Sequence, residues 1–137
     1  MLTKVEVIRK LRLMIVDDLK RTRDSLAALL LTWEQVGEIR EAANGLEAIG
    51  LAQVFQPDLV IMDVRMLKLD GIDATRIIKQ NTPEVKVVVM SMYPEYDDKA
   101  MLANADAFIS KGETPERLLA IIQLLLIGVG KDDKGEV

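Results

Sequence analysis

Short apolar runs alternate along this chain with stretches of helical spacing. Four of the five runs end on chemically matched polar residues: Asp17-Asp18, Asp63, Ser91 and Lys111. The strongest runs, Leu11 to Val16, Leu59 to Met62 and Val85 to Met90, are continuous in Val, Ile, Leu and Met, the pattern of strands buried on both faces. Two weaker runs, Glu38 to Ala42 and Ala107 to Ser110, are less apolar and suit the edges of a sheet. Between the runs, Leu26, Leu29, Leu30 and Trp33, then Leu46, Ile49, Ala52 and Phe55, recur at helical intervals. Asn44-Gly45, Gly71, Pro94 and Thr114-Pro115 punctuate the helix starts, with Thr114 as N-cap and Pro115 at the first helical position.

Five strand–helix repeats call for right-handed crossovers and a parallel sheet covered on both faces. The expected fold is therefore α/β: a flavodoxin-like, doubly wound, five-stranded parallel sheet, (βα)5, with strand order 2-1-3-4-5. Ligands of such sheets bind beyond the carboxyl ends of the strands, near the switch in strand order. The four polar endings would gather there.

With 137 residues, half of them hydrophobic, one domain is expected. The chain divides into an N-terminal extension over 1–10, a domain over 11–128 and a polar tail over 129–137 that reads as frayed. Net charge −4 and a sequence pI near 4.9 argue against an electrostatic nucleic-acid binder. With neither cysteine nor histidine, disulfides and thiolate zinc sites are excluded, and any metal must be held by oxygen. Charged residues interrupt the N-terminal stretch, so it lacks the core of a signal peptide. The stretch from Leu118 to Val129 is too short to span a bilayer. A cytoplasmic protein without membrane contact is expected.

Asp17, Asp18 and Asp63 can border one crevice. Two unit charges about 4 Å apart repel by about 4 kcal/mol at an effective dielectric near 20, so a hard cation would relieve the cluster. Magnesium suits it, because it takes oxygen ligands, uses few carboxylates directly and keeps exchangeable waters. Helix capping is the plainer use of Asp17-Asp18. Asp63 is the candidate nucleophile, since a carboxylate can attack phosphorus in line and form an acyl phosphate. Ser91 could donate to a phosphoryl oxygen, and Lys111 could pair first with the carboxylate and then with the phosphoryl group.

In their order, LMIVDD, LVIMDVRM with LDG, VVVMSMY and ADAFISKG resemble the motifs of the response regulator receiver domain of two-component signalling, from Leu11 to Ile127. The resemblance implies that Asp63 is the phosphoacceptor. It makes Asp18 a direct magnesium ligand, Asp17 a ligand through water and the Arg65 carbonyl a further ligand. Ser91 becomes the phosphate-sensing hydroxyl, Lys111 the paired cation and Phe108 the aromatic switch. Implied partners are a sensor histidine kinase or a phosphotransfer protein. SMYPEY and the KG ending resemble receivers linked to helix-turn-helix output domains, while direct nucleic-acid binding by this chain is not expected. Leu67 departs from a common proline, Gly112 from another, and Asn104 from a common glycine. Gly112 implies no cis peptide at that joint, and asparagine tolerates a left-handed backbone.

The last helix carries more apolar positions than one stripe needs, from Leu118 to Ile127. Together with Tyr93, Tyr96, Met101 and Phe108, the surplus would form a contact face over the fourth and fifth helices, suited to a homodimer. Rival readings are an aspartyl-nucleophile phosphatase or phosphotransferase, a nucleotide or flavin module, and a degenerate receiver acting only in protein interaction. The hydrolases usually carry Asp-x-Asp on the first strand, and a nucleotide site wants glycines there instead of Asp17-Asp18.

Overall fold

The computed structural model describes the backbone of residues 4–136 and the side chains of residues 9–130. Five parallel strands form the central sheet: β2 (Leu11–Val16), β3 (Val36–Ala42), β4 (Leu59–Asp63), β5 (Lys86–Ser91) and β6 (Ala107–Ser110). Their spatial order is β3-β2-β4-β5-β6, the expected 2-1-3-4-5 arrangement with the weaker runs at the edges. Helices α1 (Lys20–Leu30), α2 (Gly45–Phe55), α3 (Gly71–Asn81), α4 (Tyr96–Leu102) and α5 (Pro115–Leu125) make the connections.

Side chains of a strand alternate between faces, and this period builds two separate cores. Leu13, Ile15, Leu59, Ile61, Val88, Met90 and Ile109 pack beneath Leu30 of α1 and Leu118 and Ile122 of α5. Met14, Val16, Val60, Met62, Val87 and Val89 pack on the opposite side, against Ala48 and Ala52 of α2, Ile78 of α3 and Ala100 of α4. Both faces of β4 are therefore dry, so its run shows no polar alternation. Continuing the same parity past the strand ends assigns Asp17, Asp63 and Lys111 to the α1–α5 side.

Local chemistry sets the helix starts. The Asn44 side chain accepts from the Glu47 N–H at 2.9 Å, and Glu47 reaches back to the Ala43 N–H, a reciprocal cap for α2. Asp70 caps α3 and Thr114 caps α5, with Pro115 in the first turn. The spacing that includes Trp33 overruns α1, which stops at Leu30. Trp33 lies in the following turn, where its ring still packs on the α1–α5 core.

The termini depart from expectation. Residues Lys4–Ile8 (β1) and Lys131–Glu136 (β7) pair antiparallel, where composition suggests an extension and a fraying tail. The Arg9 N–H donates to the Gly130 carbonyl at 2.8 Å, and Gly130 turns the chain at φ +85°. A polar segment becomes a strand when the other end of the chain presents a ladder, and composition does not register that. Along α5 and its C-cap, Leu118, Ile122 and Leu126 are buried and Leu119, Ile121 and Leu125 flank them, so most of the apolar surplus is a wide core face. Leu124 and Ile127 are the exceptions, at 68% and 76% exposure.

Candidate functional site

Asp17 and Asp63 end up buried, while Asp18 faces solvent. One carboxylate oxygen from each of the three lies within 4.8 Å of the others. The Lys111 ammonium sits 2.9 Å from Asp63 Oδ1 and 3.1 Å from Asp17 Oδ2, so one cation serves two carboxylates. The capping use of Asp17-Asp18 is not what the structure shows: Leu19 is the N-cap of α1 and no side chain caps it. Asp17 Oδ1 accepts from the Leu19 N–H at 2.9 Å, a turn contact that aims the carboxylate across the strand ends.

Burial pushes the Asp63 carboxyl above its ordinary range. The Lys111 hydrogen bond works against this, while the charges of Asp17 and Asp18 add to it. For Lys111, burial works to lower the ammonium, but its hydrogen bonds and charge pairing with Asp63 and Asp17 prevail and hold it above its usual value. The pair is thus ionic, with more negative charge around it than the lysine can balance. Three hard oxygen donors at this spacing suit a small divalent cation that keeps part of its water shell.

Ser91 ends β5 one register step beyond Met90, the partner of Asp63. Its Oγ accepts from the Tyr93 N–H at 3.0 Å, and its carbonyl accepts from the Lys111 N–H at 3.0 Å. The hydroxyl hydrogen is therefore available for a new acceptor, and the backbones carrying serine and lysine are tied together. Phe108 is half-buried against the α2–α3–α4 core, the side on which Ser91 continues the parity of β5. Arg65, two residues past Asp63, is exposed, and its guanidinium lies over the Tyr93 ring at 4.9 Å from the centroid.

Further residues support the site. Arg23 Nη1 donates to the Asp17 carbonyl at 2.7 Å while Nε pairs with Glu41 at 2.9 Å, fixing the turn between β2 and α1. Gly71 lies so close to Asp63 that an added Cβ would fall 1.8 Å from the Asp63 carbonyl oxygen. Its N–H closes the loop by donating to the Val64 carbonyl at 2.8 Å. That loop holds Lys68 and Leu69 at φ 54° and 71°, beside an exposed Leu67. The LDG motif was the available signal for Gly71; nothing local signals Arg23 or the Tyr93 stack. Asn104 adopts φ 69°, the left-handed conformation expected of it, and among the described residues no peptide bond is cis.

A family model described as the response regulator receiver domain matches residues 13–123. Response regulator protein VraR of Staphylococcus aureus strain N315 is 33% identical over 103 residues, covering 74% of this chain and 49% of that protein. The chain thus spans about half the length of the curated relatives it matches. Among solved structures, a LuxR-family two-component response regulator from Aurantimonas sp. SI85-9A1 superposes with TM-score 0.82 at 30% identity, covering 87% of this chain and 86% of that one. The response regulator domain of Thermotoga maritima CheB gives 0.80 at 26% identity, covering 87% and 98%.

Proposed function

The chain belongs to the response regulator receiver domain family of two-component signalling, and from that premise we propose that Asp63 is the residue that takes the phosphoryl group. The observation that carries this reading is the Asp17–Asp18–Asp63 cluster within 4.8 Å, bridged by Lys111 at 2.9 Å from Asp63. A buried carboxylate whose surroundings are over-supplied with negative charge is a poor resting anion. It becomes a better-accommodated group once its charge moves outward onto a phosphoryl group that a cation can reach.

Asp17, Asp18, Asp63 and the Arg65 carbonyl would hold magnesium, which when bound neutralises charge on the transferring phosphoryl oxygens. Asp63 attacks phosphorus, the bond from phosphorus to the donor nitrogen breaks, and an acyl phosphate forms. Lys111 then exchanges a carboxylate oxygen for a phosphoryl oxygen as its partner. Ser91 donates its free hydrogen to another phosphoryl oxygen and gives up the Tyr93 N–H. Phe108 moves into the space vacated, and the loop into α4 shifts with it. This is a population shift between two packings.

The donor is a sensor histidine kinase or a phosphotransfer protein, since this chain has no histidine of its own. We read residues 11–128 as the receiver unit. It is a phosphoacceptor that assists its own phosphorylation and dephosphorylation, not a turnover enzyme, and it works in the cytoplasm; among the described residues no helix is long and apolar enough to cross a membrane. Output passes through the α4–α5 face, where Tyr93, Met101, Leu124 and Ile127 are exposed, by phosphorylation-enhanced homodimerisation instead of direct nucleic-acid contact.

Intact mass after treatment with acetyl phosphate and magnesium tests the assignment. One phosphoryl adduct should form, survive acid, be lost in base and be missing from Asp63→Asn. An adduct that persists in the variant places the acceptor elsewhere. Light scattering that finds the same monomer with and without a phosphoryl mimic removes the dimer.

A further inference from the structure

Below the acidic cluster, α1 and α5 do not close on each other. The residues that α1 turns toward this gap are Thr22, Ser25, Leu26 and Leu29, one helical face whose first two members are small hydroxyls. The half of α1 nearest the site therefore lacks the bulk to meet α5. A cavity of about 350 Å³ is left, lined by the apolar Ile61, Met90 and Leu118 and by the polar Asp17, Asp63 and Lys111. That volume lies in the range of small-molecule sites. Strand parity explains why one end of it is acidic: Asp17 and Asp63 continue the same faces as Ile15 and Ile61.

We propose that this cavity binds a small amphipathic cation, an amine whose apolar body lies between α1 and α5 and whose ammonium reaches Asp17 and Asp63. The apolar floor gains by excluding water from a hydrocarbon or aromatic body. The polar end sets the sign of the head group, because Asp17 and Asp63 line it against the ammonium of Lys111, while Glu113 is already paired with Arg117 at 2.9 Å. Lys111 already divides itself between two carboxylates, so oxygen lone pairs remain for a second cation. A carboxylate head would meet a net negative rim, and a neutral one would leave that rim without a partner. The bound ammonium uses oxygens that a divalent cation also needs, so amine and magnesium bind in competition, each weakening the other by the same factor. Given the phosphoacceptor reading, the amine slows phosphorylation of Asp63.

The test uses the full chain carrying 13C-methyl methionine, with phenethylamine as probe and 3-phenylpropionate as its anionic counterpart. The Met90 methyl signal, identified through Met90→Leu, should shift saturably with a dissociation constant of about 1 mM, as befits so small a ligand. The anion should bind at least about tenfold more weakly. Excess magnesium should raise the apparent amine constant, and Ser25→Leu, which fills the gap from α1, should abolish the Met90 shift. If Ser25→Leu does not fold, the magnesium competition decides alone. An unmoved Met90 signal, equal binding of the anion, indifference to magnesium, or shifts confined to exposed Met92 and Met101 each overturn the proposal. Acetyl phosphate labelling of Asp63 without amine binding removes only the ligand; amine binding without labelling removes the phosphoacceptor reading.

Discussion

Replacing Asp63 by asparagine should stabilise the metal-free protein, although the substitution removes a 2.9 Å ion pair. Asp17 and Asp18 each present an oxygen within 4.8 Å of one on Asp63, so at an effective dielectric near 20 each repels it by at least about 3.5 kcal/mol. Attraction to Lys111 at 2.9 Å returns about 6 kcal/mol on the same scale. The exposure of Asp18 weakens its share, and the burial of the Asp63 carboxylate adds a penalty of its own. The net is a charge that costs the fold about 1 kcal/mol. Asparagine keeps the shape, and Lys111 keeps Asp17 at 3.1 Å. Thermal melts in chelator at pH 7 should then place the variant above the parent by about 4 °C. Because folding raises the Asp63 carboxyl above its ordinary 3.8, its contribution to stability is complete below that pH and is lost as pH rises through the folded-state value. The gap between the proteins should accordingly close in acid. Magnesium at about ten times its dissociation constant should stabilise the parent by about 1.4 kcal/mol and the variant by under about 0.4 kcal/mol, reversing the order. A variant that melts below the parent in chelator at pH 7 would show that the lysine pair outweighs the carboxylate cluster, and the account of the site's electrostatics would be wrong.

Thr75 is wholly buried with its hydroxyl unpartnered, so Thr75→Val should raise stability in urea by about 1 kcal/mol and leave Asp63 labelling unchanged. Gly71→Ala should cost about 3 kcal/mol and slow labelling together, because the new methyl must displace the Asp63 carbonyl or the start of α3; paired urea melts and mass spectrometry check it. Asp58 accepts two hydrogen bonds from Arg9 and one from the Arg12 N–H. Burial works to raise its carboxyl, but these contacts prevail and hold it below the ordinary 3.8. Its stabilisation is therefore present above that pH and lost as pH falls through the folded-state value. Asp58→Asn should be the less stable protein at pH 7 and converge with the parent in strong acid; a gap that persists there would assign the loss to packing instead.

Strand parity, the Asn44 and Thr114 caps and the acid, hydroxyl and lysine endings are local features, each decided within a few residues, and the sequence alone determined them. It also favoured the sheet order, because five strand–helix repeats leave few right-handed ways to wind. Other features needed the fold. Lys111 joins Asp17 across 94 residues, through registers that parallel strands settle only by packing. Tertiary contact alone likewise decided the steric limit at Gly71, the stacking of Arg65 on Tyr93 and the gap left by Thr22 and Ser25. Composition reads each end of the chain separately, so it described an extension and a polar tail where the structure pairs β1 with β7. The physical reason is common to all of these: periodicity and capping act over one or two turns, whereas a shared cation, a steric limit and a cavity depend on side chains from elements that meet only after the sheet has formed.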